Sequence, residues 1–385
     1  MELYEKLAYA GLRERAGTIV RVCANLFGVR IAWIGLLLLA GCAGEVPPLP
    51  YVVESAASVD ASAVELIVLR DEAGGIEAAI APAKGGELSG LRVRHDGQWI
   101  ETLQFARDYA PREGFAGKGP FLWPATGRNF PPDLEKRRRE GEAFDAGAYE
   151  HGGVRREMPI HGFARDMPWT LEESSATQAS ARALLTISDS PEAREMYPFG
   201  FRCSVEYLVT GGTLALRYVV RASAQNTEPM FFSLGNHITF LAPLLEGSDP
   251  NEMVLASPAT LELLKTDYGI PTGETRPAAF AGGMRLGDYP PLVPTSLSGY
   301  PETADPNVEY RDPAGLTIRI SHHADRVPEQ PVVLFNLWGD VRNGFFSPEP
   351  WVGLQNSLVQ RQGLVFVDPG EQFAWTVQIA YESSS

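Results

Sequence analysis

The chain reads Ser204-Val-Glu-Tyr-Leu-Val-Thr-Gly-Gly-Thr-Leu-Ala-Leu-Arg-Tyr-Val-Val220, which places two short runs around a pair of glycines. The runs Ser204–Val209 and Leu214–Val220 are rich in apolar and β-branched residues and largely follow the two-residue period of a β-strand. Gly211-Gly212 between them is a turn signal. This stretch therefore predicts two short strands separated by a turn.

Runs of the same kind recur through most of the chain. The clearest others are Ala63–Leu69, Glu77–Ala81, Ala183–Ile187, Leu316–Ile320, Val332–Leu337 and Phe373–Ala380. Each is bounded by Gly, Pro, Asp or Asn, and the 38 Gly and 30 Pro residues supply enough turns for many strands. No repeat of about 20–50 residues is visible, which argues against a propeller or a solenoid. The pattern predicts an all-β fold: one large antiparallel β-sandwich over residues 62–385.

One stretch, Leu134–Ala143, has weak helical periodicity. It contains the basic run Lys136-Arg-Arg-Arg139, followed by Gly-rich sequence. We interpret it as a solvated surface loop, because charge runs in globular proteins usually lie on the surface.

The first 41 residues have the layout of a secretory signal. Arg21 and Arg30 precede the apolar segment Ile31–Gly41, which is eleven residues long, whereas a membrane-spanning helix needs roughly 20. Leu39-Ala-Gly-Cys42 resembles the bacterial lipobox, in which the chain is cut before the cysteine and the thiol is acylated. We therefore predict a lipoprotein signal sequence at 1–41, lipidation of Cys42 and a lipidated tether at 42–61. We expect the protein to be lipid-anchored in the bacterial cell envelope. Residue 43 is Ala, not Asp, which favours the periplasmic face of the outer membrane.

Charge and cysteine content exclude several classes of partner and site. The net charge is −15, and the chain after residue 41 carries 28 basic against 45 acidic residues. Such a body repels phosphate backbones, so we expect no nucleic-acid partner and membrane contact through the lipid anchor only. Once Cys23 and Cys42 are assigned to the signal, Cys203 is left alone, so no disulfide can form within the mature domain.

Several common catalytic motifs are absent from the sequence: the Gly-x-Ser-x-Gly elbow, the Walker phosphate loop and His-Glu-x-x-His. The adjacent pair His322-His323 could suggest a metal site. Neighbouring residues on a strand point to opposite faces, however, so the pair could not easily hold one ion. We predict no metal site.

Two histidine segments stand out. In Met158-Pro-Ile-His161-Gly-Phe-Ala-Arg165 the histidine lies between apolar residues and before a glycine, which indicates a tight backbone and a partly buried ring. In Phe231-Phe-Ser-Leu-Gly-Asn-His237 the histidine ends an apolar strand, so its ring could face a cleft. Taken alone, each residue fits a hydrogen-bonded histidine of the core better than a functional one.

A third segment, Phe345-Phe-Ser-Pro-Glu349-Pro-Trp351-Val-Gly353, holds a carboxylate between two prolines. A rigid, partly desolvated carboxylate has a raised pKa and can serve as a base. Trp351 beside it could stack on the apolar face of a sugar. Taken alone, Glu349 fits a surface residue better than a functional one.

Together these segments resemble the aldose 1-epimerase (galactose mutarotase-like) family. Met158–Arg165 is similar to the family's substrate-binding histidine segment, and most closely to the subgroup that reads His-Gly-Phe-Ala-Arg. Leu234–His237 is similar to the segment of the general acid, and Pro348–Gly353 to that of the general base. Order and spacing agree over roughly 64–381, and Gly363–Trp375 is similar to the family's closing strands.

The resemblance implies a galactose mutarotase-like supersandwich and a sugar-isomerising activity without a cofactor. It implies His237 and Glu349 as catalytic acid and base. It further implies His161, Arg128 and Arg165 as substrate-binding residues, to which we add Trp351. Because the predicted signal places the domain outside the cytoplasm, we expect a neutral sugar as the small-molecule partner.

Two other functions stay open at this point. The same sandwich and cleft could serve a non-catalytic carbohydrate-binding envelope lipoprotein. A polysaccharide lyase or glycosidase accessory domain is a third alternative, although no second carboxylate is evident as a partner for Glu349. The sequence does not identify the sugar or the oligomeric state.

Overall fold

The alternating runs form strands, as predicted, in the structure, which is a computed structural model describing residues 49–112, 116–143, 146–326 and 333–384. The described residues belong to one compact unit, Pro48–Ser385. In chain order the strands are β1 Tyr51–Ala57, β2 Glu65–Asp71, β3 Ile76–Ala81, β4 Glu87–His95, β5 Gln98–Glu101, β6 Phe121–Leu122, β7 Ala148–His151, β8 Val154–Glu157, β9 Thr170–Ala176, β10 Ala181–Ser188, β11 Phe201–Thr210, β12 Thr213–Ala222, β13 Met230–Phe232, β14 Leu234–Asn236, β15 Phe240–Leu241, β16 Val254–Ala256, β17 Leu261–Lys265, β18 Pro271–Pro277, β19 Met284–Arg285, β20 Thr295–Ser298, β21 Asn307–Arg311, β22 Leu316–Ala324, β23 Val333–Asp340, β24 Phe345–Val352, β25 Val365–Val367 and β26 Gln372–Ser383.

Helices are short and few among the described residues. The α-helices are α1 Leu134–Glu140, α2 Pro191–Met196 and α3 Ser357–Gln360, and single 3-10 turns occupy Ala164–Asp166, Pro250–Glu252, Leu286–Asp288 and Val341–Asn343. Within the described ranges no helix is long and apolar enough to cross a membrane. The predicted signal at 1–41 and Cys42 lie outside the described residues.

Two large antiparallel sheets make the sandwich. One has nine strands in the order β19-β16-β21-β22-β26-β12-β11-β10-β9, and the other has eight in the order β18-β17-β20-β23-β24-β14-β6 with β15 paired to β24. Their facing side chains pack directly against each other: Phe121 of β6 stacks on Tyr218 of β12 with ring centroids 4.3 Å apart. The predicted all-β antiparallel sandwich is confirmed.

A third sheet, of five strands in the order β1-β2-β3-β4-β5, contacts the nine-stranded sheet through β9, β10, β11, β12 and β26. Its first strand corrects the predicted tether at 42–61. Tyr51–Ala57 pairs antiparallel with β2, from Tyr51 opposite Asp71 to Ala57 opposite Glu65. Residues 55–62 are rich in Ala and Ser, which suggested a flexible segment, but an edge strand needs only backbone hydrogen bonds to a neighbour.

The predicted surface loop at Leu134–Ala143 was also wrong in part, because its first seven residues form helix α1. Leu134 is buried, Arg137 pairs with Asp133 one turn earlier, and Gly141 ends the helix in the left-handed conformation. Three arginines occupy the last turn, where positive charge favours the helix dipole. The expected solvation of the basic run is correct, since Lys136, Arg138 and Arg139 are exposed.

The pair His322-His323 divides as predicted between the two faces of β22. His322 is buried and accepts a hydrogen bond from the indole of Trp375 at 3.0 Å, whereas His323 is half-buried beside Asp305. His322 is therefore a hydrogen-bonded histidine of the core.

Candidate active site

Strand β24 carries the centre of the site. Ser347, Glu349 and Trp351 occupy alternate positions, so they share one face of the strand. On β23, Trp338 lies opposite Ser347 and Asn336 opposite Glu349, which adds two side chains to the same face.

Among the described residues, the two prolines of β24 lie where the strand has no backbone partner on the side away from β23. Strand β14 pairs with β24 only at Trp351 and Val352, and β15 only at Phe345 and Phe346. Proline has no N–H to donate, so Pro348 and Pro350 fit the unpaired stretch between them. The segment 237–239 connects β14 to β15 at this gap and brings His237 beside Glu349.

His237 and Glu349 face each other in the buried floor of the site. His237 Nε2 lies 3.5 Å from Glu349 Oε1, and the exposed fractions of the two residues are 8% and 1%. The Trp351 indole donates to Glu349 Oε2 at 3.1 Å, and the Asn336 amide makes a longer contact to Oε1 at 3.4 Å. Glu349 is thus a buried carboxyl with few donors, not a surface residue.

Burial shifts the two groups in opposite directions. It raises the pKa of Glu349 well above its usual value, against the hydrogen bonds from Asn336 and Trp351 and the charge of Lys265, which lower it. It lowers the pKa of His237 to about 4, and the positive charge of Arg165 lowers it further. Both shifts favour the uncharged pair, with the proton on Glu349. A proton that moves between the two groups converts this pair into ionised Glu349 and protonated His237 without any exchange with solvent.

His161 is held by a double contact with Gly127. The His161 N–H donates to the Gly127 carbonyl at 2.9 Å, and the Gly127 N–H donates to His161 Nδ1 at 3.0 Å. Because Nδ1 accepts, the neutral ring carries its proton on Nε2. Burial, followed by the charges of His237, Arg165 and Arg128, lowers the pKa of His161 well below its usual value, so the ring is neutral. Its centroid is 5.5 Å from that of His237.

The two arginines occupy the rim. Arg128 is exposed and Arg165 is half-buried. Arg165 Nε lies 3.9 Å from Asp166 Oδ2 and, within the described part of the chain, has no hydrogen-bond partner. Both arginines line the cavity, where their guanidinium groups could donate to hydroxyls of a ligand.

All six predicted site residues line one cavity of about 650 Å³: Arg128, His161, Arg165, His237, Glu349 and Trp351. Their catalytic and binding roles stay predictions. Trp351 is 3% exposed and uses its indole N–H on Glu349, so in this arrangement it supports the carboxyl. Cys42, the predicted lipidation site, is outside the described residues.

The sequence reasoning missed several residues of the site. Trp338, half-buried and 5.6 Å from the His237 ring, lines the cavity with Asn336. Strand alternation from Val332 could have shown that Asn336 and Trp338 share a face, but not which strand pairs with Glu349. Glu87 and Lys118 also line the cavity, and burial raises the pKa of Glu87 to about 7. Among the described residues, no group of three or more His, Cys, Asp or Glu side chains is placed to hold a metal ion.

Comparison with known proteins bears on this arrangement. The sequence model of the aldose 1-epimerase family matches residues 142–281, a segment that includes His161, Arg165 and His237. The resemblance to the aldose 1-epimerase family is confirmed. The likeness to the His-Gly-Phe-Ala-Arg subgroup stays a prediction.

Solved structures share the fold of this aldose-epimerase-like chain. A protein from Synechocystis sp. PCC 6803 is 24% identical with a TM-score of 0.63, over 83% of this chain and 96% of that one. A galactose mutarotase-like protein from Clostridium acetobutylicum is 17% identical with a TM-score of 0.67, over 86% and 99%. Galactose 1-epimerase from Lactobacillus acidophilus NCFM is 18% identical with a TM-score of 0.61, over 88% and 100%. At these identities the likeness establishes the fold. No curated protein matches the sequence.

Proposed function

We propose that this protein is an aldose 1-epimerase that interconverts the α and β anomers of a neutral sugar by acid–base ring opening. The observation that carries the proposal is the pair of His237 and Glu349, buried together in the floor of a cavity with 3.5 Å between Nε2 and Oε1. The family match supports a role in sugar epimerisation or sugar binding. His161, Arg128 and Arg165 line the same cavity and would position the hydroxyls.

The reaction needs one proton acceptor and one proton donor. Ionised Glu349 removes the proton of the anomeric hydroxyl, protonated His237 gives a proton to the ring oxygen, and the bond between C1 and the ring oxygen breaks. The electron pair of the former O–H bond forms the C1 carbonyl. Rotation about C1–C2 and the reverse transfers close the ring as the other anomer. At the open-chain stage Glu349 is protonated and His237 is neutral, which is the state that burial favours.

The charges around the cavity are compatible with a neutral substrate. The Lys118 residue is 3% exposed, and its ammonium donates to the carbonyl oxygens of Asp108 and Ala116 at 3.1 and 2.7 Å. Burial lowers the pKa of Lys118, while the charge of Glu87 raises it. The basic run on α1 is not part of the cavity wall. This leaves Lys84, Arg128 and Arg165 as the basic residues of the wall, with Asp166 beside Arg165.

Polarimetry with freshly dissolved α-glucose, α-galactose and α-glucose 6-phosphate tests the proposal. We expect the protein to accelerate the change in rotation of at least one neutral sugar and to act more slowly on the phosphate. A clear preference for the phosphate would show that the arginines build an anion site. Binding of sugars without any acceleration would favour the alternative, a non-catalytic carbohydrate-binding protein.

We also propose that the mature protein is an envelope lipoprotein anchored through Cys42. The support is the sequence Leu39-Ala-Gly-Cys42, and residues 43–50 would join the lipidated cysteine to strand β1. Mass spectrometry of the membrane fraction should find an acylated N-terminal Cys42. Cys42→Ser should release the protein from membranes, whereas Cys23→Ser, in the part that is removed, should not. A Cys42→Ser protein that stays in the membrane fraction would contradict the anchor.

A further inference from the structure

Four adjacent strands of the eight-stranded sheet place one row of side chains across the sheet towards Glu349. Leu263 of β17 lies opposite Ser296 of β20, Ser296 opposite Asn336 of β23, and Asn336 opposite Glu349 of β24. Residues directly opposite each other in neighbouring strands project to the same face. All four are buried, with exposed fractions of 5% or less.

Lys265 joins this row from the end of β17. It lies two positions after Leu263, next to a shift in the register between β17 and β18. Its ammonium donates to the Asn336 side-chain oxygen at 3.0 Å and to the Pro294 carbonyl at 3.3 Å. Lys265 is half-buried and is not part of the cavity wall.

The ammonium determines which way the Asn336 amide faces. An ammonium group can only donate, so it requires the amide oxygen on its side, and the Ser296 hydroxyl donates to the same oxygen at 3.1 Å. The amide nitrogen then faces Glu349 Oε1 at 3.4 Å. A hydroxyl could accept as well as donate, so Ser296 alone would not fix this orientation.

We propose that Lys265 is a positioning residue for Glu349, acting through the side-chain amide of Asn336, and this inference rests on the function proposed above. The amide presents its N–H groups to the carboxylate and so favours the ionised form that removes the proton of the sugar. Lys265 touches neither the cavity nor the reacting atoms.

The charges around Glu349 agree with this role. His237 and Lys265 are ionisable groups that face it, and Tyr289 feels its charge but donates its hydroxyl to the Leu337 carbonyl at 3.0 Å. Burial lowers the pKa of Lys265 to about 8, while the charges of Glu349 and Glu262 raise it. At neutral pH Lys265 is therefore charged.

The test measures the titration of Glu349 directly, by NMR of protein labelled with ¹³C at the glutamate carboxyls. The signal is identified by its loss in Glu349→Gln. In Lys265→Met the midpoint should rise by about one pH unit or more, because the carboxylate loses an opposite charge and an oriented donor. Lys265→Arg should return it to within about 0.5 unit of the wild type. Lys136→Met, the same change on exposed helix α1, is the control.

Activity should follow the midpoint. At a pH below both midpoints, a rise of one unit leaves about tenfold less ionised Glu349, so kcat there should fall about tenfold in Lys265→Met with KM changed less than about twofold. A folded Lys265→Met protein whose Glu349 midpoint stays within about 0.3 unit of the wild type overturns the proposal. If Lys265→Met does not fold, Lys265→Gln, which keeps a polar side chain, is measured in its place against the same limits.

A double-mutant cycle tests the path through Asn336. In an Asn336→Leu background, Lys265→Met should shift the midpoint by less than half as much as in the wild type, since residues in one network do not act additively. An equal shift in both backgrounds would overturn the part played by Asn336. The midpoint is read without sugar, so a wild type that fails to anomerise sugars would overturn the proposed function, while the midpoint alone decides whether Lys265 acts on Glu349.

Discussion

Burial at Glu349 and His237 has a consequence for the range of pH in which the pair can transfer protons. With the pKa of His237 lowered to about 4 and that of Glu349 raised well above its usual value, the pair holds one proton between the two pKa values. A pair with one proton has both a donor and an acceptor. The two groups therefore titrate as a unit, and the limits of the range belong to the pair.

We predict that kcat/KM for mutarotation is constant between the two pKa values and falls on both sides of that range. As the pH drops through about 4, the pair gains a second proton and has no acceptor left. As the pH rises past the raised pKa of Glu349, the pair loses its last proton and has no donor. Initial rates measured across this range check the prediction. An acid limb near pH 6.5, the usual pKa of histidine, would show that burial does not control His237.

The indole of Trp351 supports the Glu349 carboxyl through one hydrogen bond. Trp351→Phe keeps a buried aromatic ring but removes the indole N–H that donates to Glu349 Oε2 at 3.1 Å. We expect kcat to fall about tenfold with KM nearly unchanged, because the lost bond favours the ionised carboxylate. Trp99→Phe on strand β5, away from the cavity, controls for the substitution. A large rise in KM at unchanged kcat would instead support the stacking role that the sequence suggested.

Residue types and local patterns could be predicted at the site because three short segments resemble a known family. Their supporting residues could not. Asn336 and Lys265 lie near Glu349 because four strands, β17, β20, β23 and β24, pair in one register. The sequence contains no signal for that register. The same holds for Trp351, whose indole direction decides between stacking and support.

At the scale of elements, the turn that carries His161 depends on a close backbone approach. His161 and Gly162 both have left-handed backbone conformations, with φ of 69° and 75°. Gly162 lies against Trp123, and a Cβ at this position would come within 2.1 Å of the Trp123 carbonyl oxygen. Only glycine fits this position. The contact between this turn and the chain after β6 therefore fixes the direction of the His161 side chain.

Gly162→Ala should therefore destabilise the protein by at least about 2 kcal/mol, the sum of left-handed strain and a backbone clash. Chemical denaturation measures this loss. Gly153→Ala is the matched control, because Gly153 has a similar φ of 73° with open space around it. It should cost only about 1 kcal/mol, from strain alone. Equal losses for the two variants would contradict the proposed clash.

Strands with clear alternation were predicted close to their observed bounds, whereas elements that depend on a neighbour were not. Strand β1 ends in Ser-Ala-Ala, at the start of the Ala/Ser-rich stretch that suggested a linker, and it is ordered by pairing with β2. Helix α1 is short, and its helical periodicity in the sequence is weak. The burial of Leu134 and the Gly141 cap determine its conformation instead. In β24 the two prolines are tolerated because β14 and β15 leave a gap in the pairing.

At the scale of the whole molecule, the sandwich brings distant parts of the chain to one cavity. Arg128 follows β6, His237 follows β14, and Glu349 lies in β24, and these three strands belong to the same sheet. Nearly continuous strand signals made the all-β class predictable from the sequence. The convergence of these residues was predictable only through the family resemblance, because sequence separation carries no information on which strands are neighbours.

The most direct measurement is the rate of exchange between the α and β anomers of the preferred sugar, by NMR at neutral pH, with wild type, Glu349→Gln and His237→Asn. Each substitution removes one proton-transfer group, so each should lower the rate by about 10²-fold or more while the protein stays folded and sugar binding persists. The double variant should lose far less than the product of the single losses, because the two residues act as a unit. Glu192→Gln on helix α2, exposed and outside the cavity wall, should exchange the anomers like the wild type. Exchange at the wild-type rate in folded Glu349→Gln would contradict the acid–base pair.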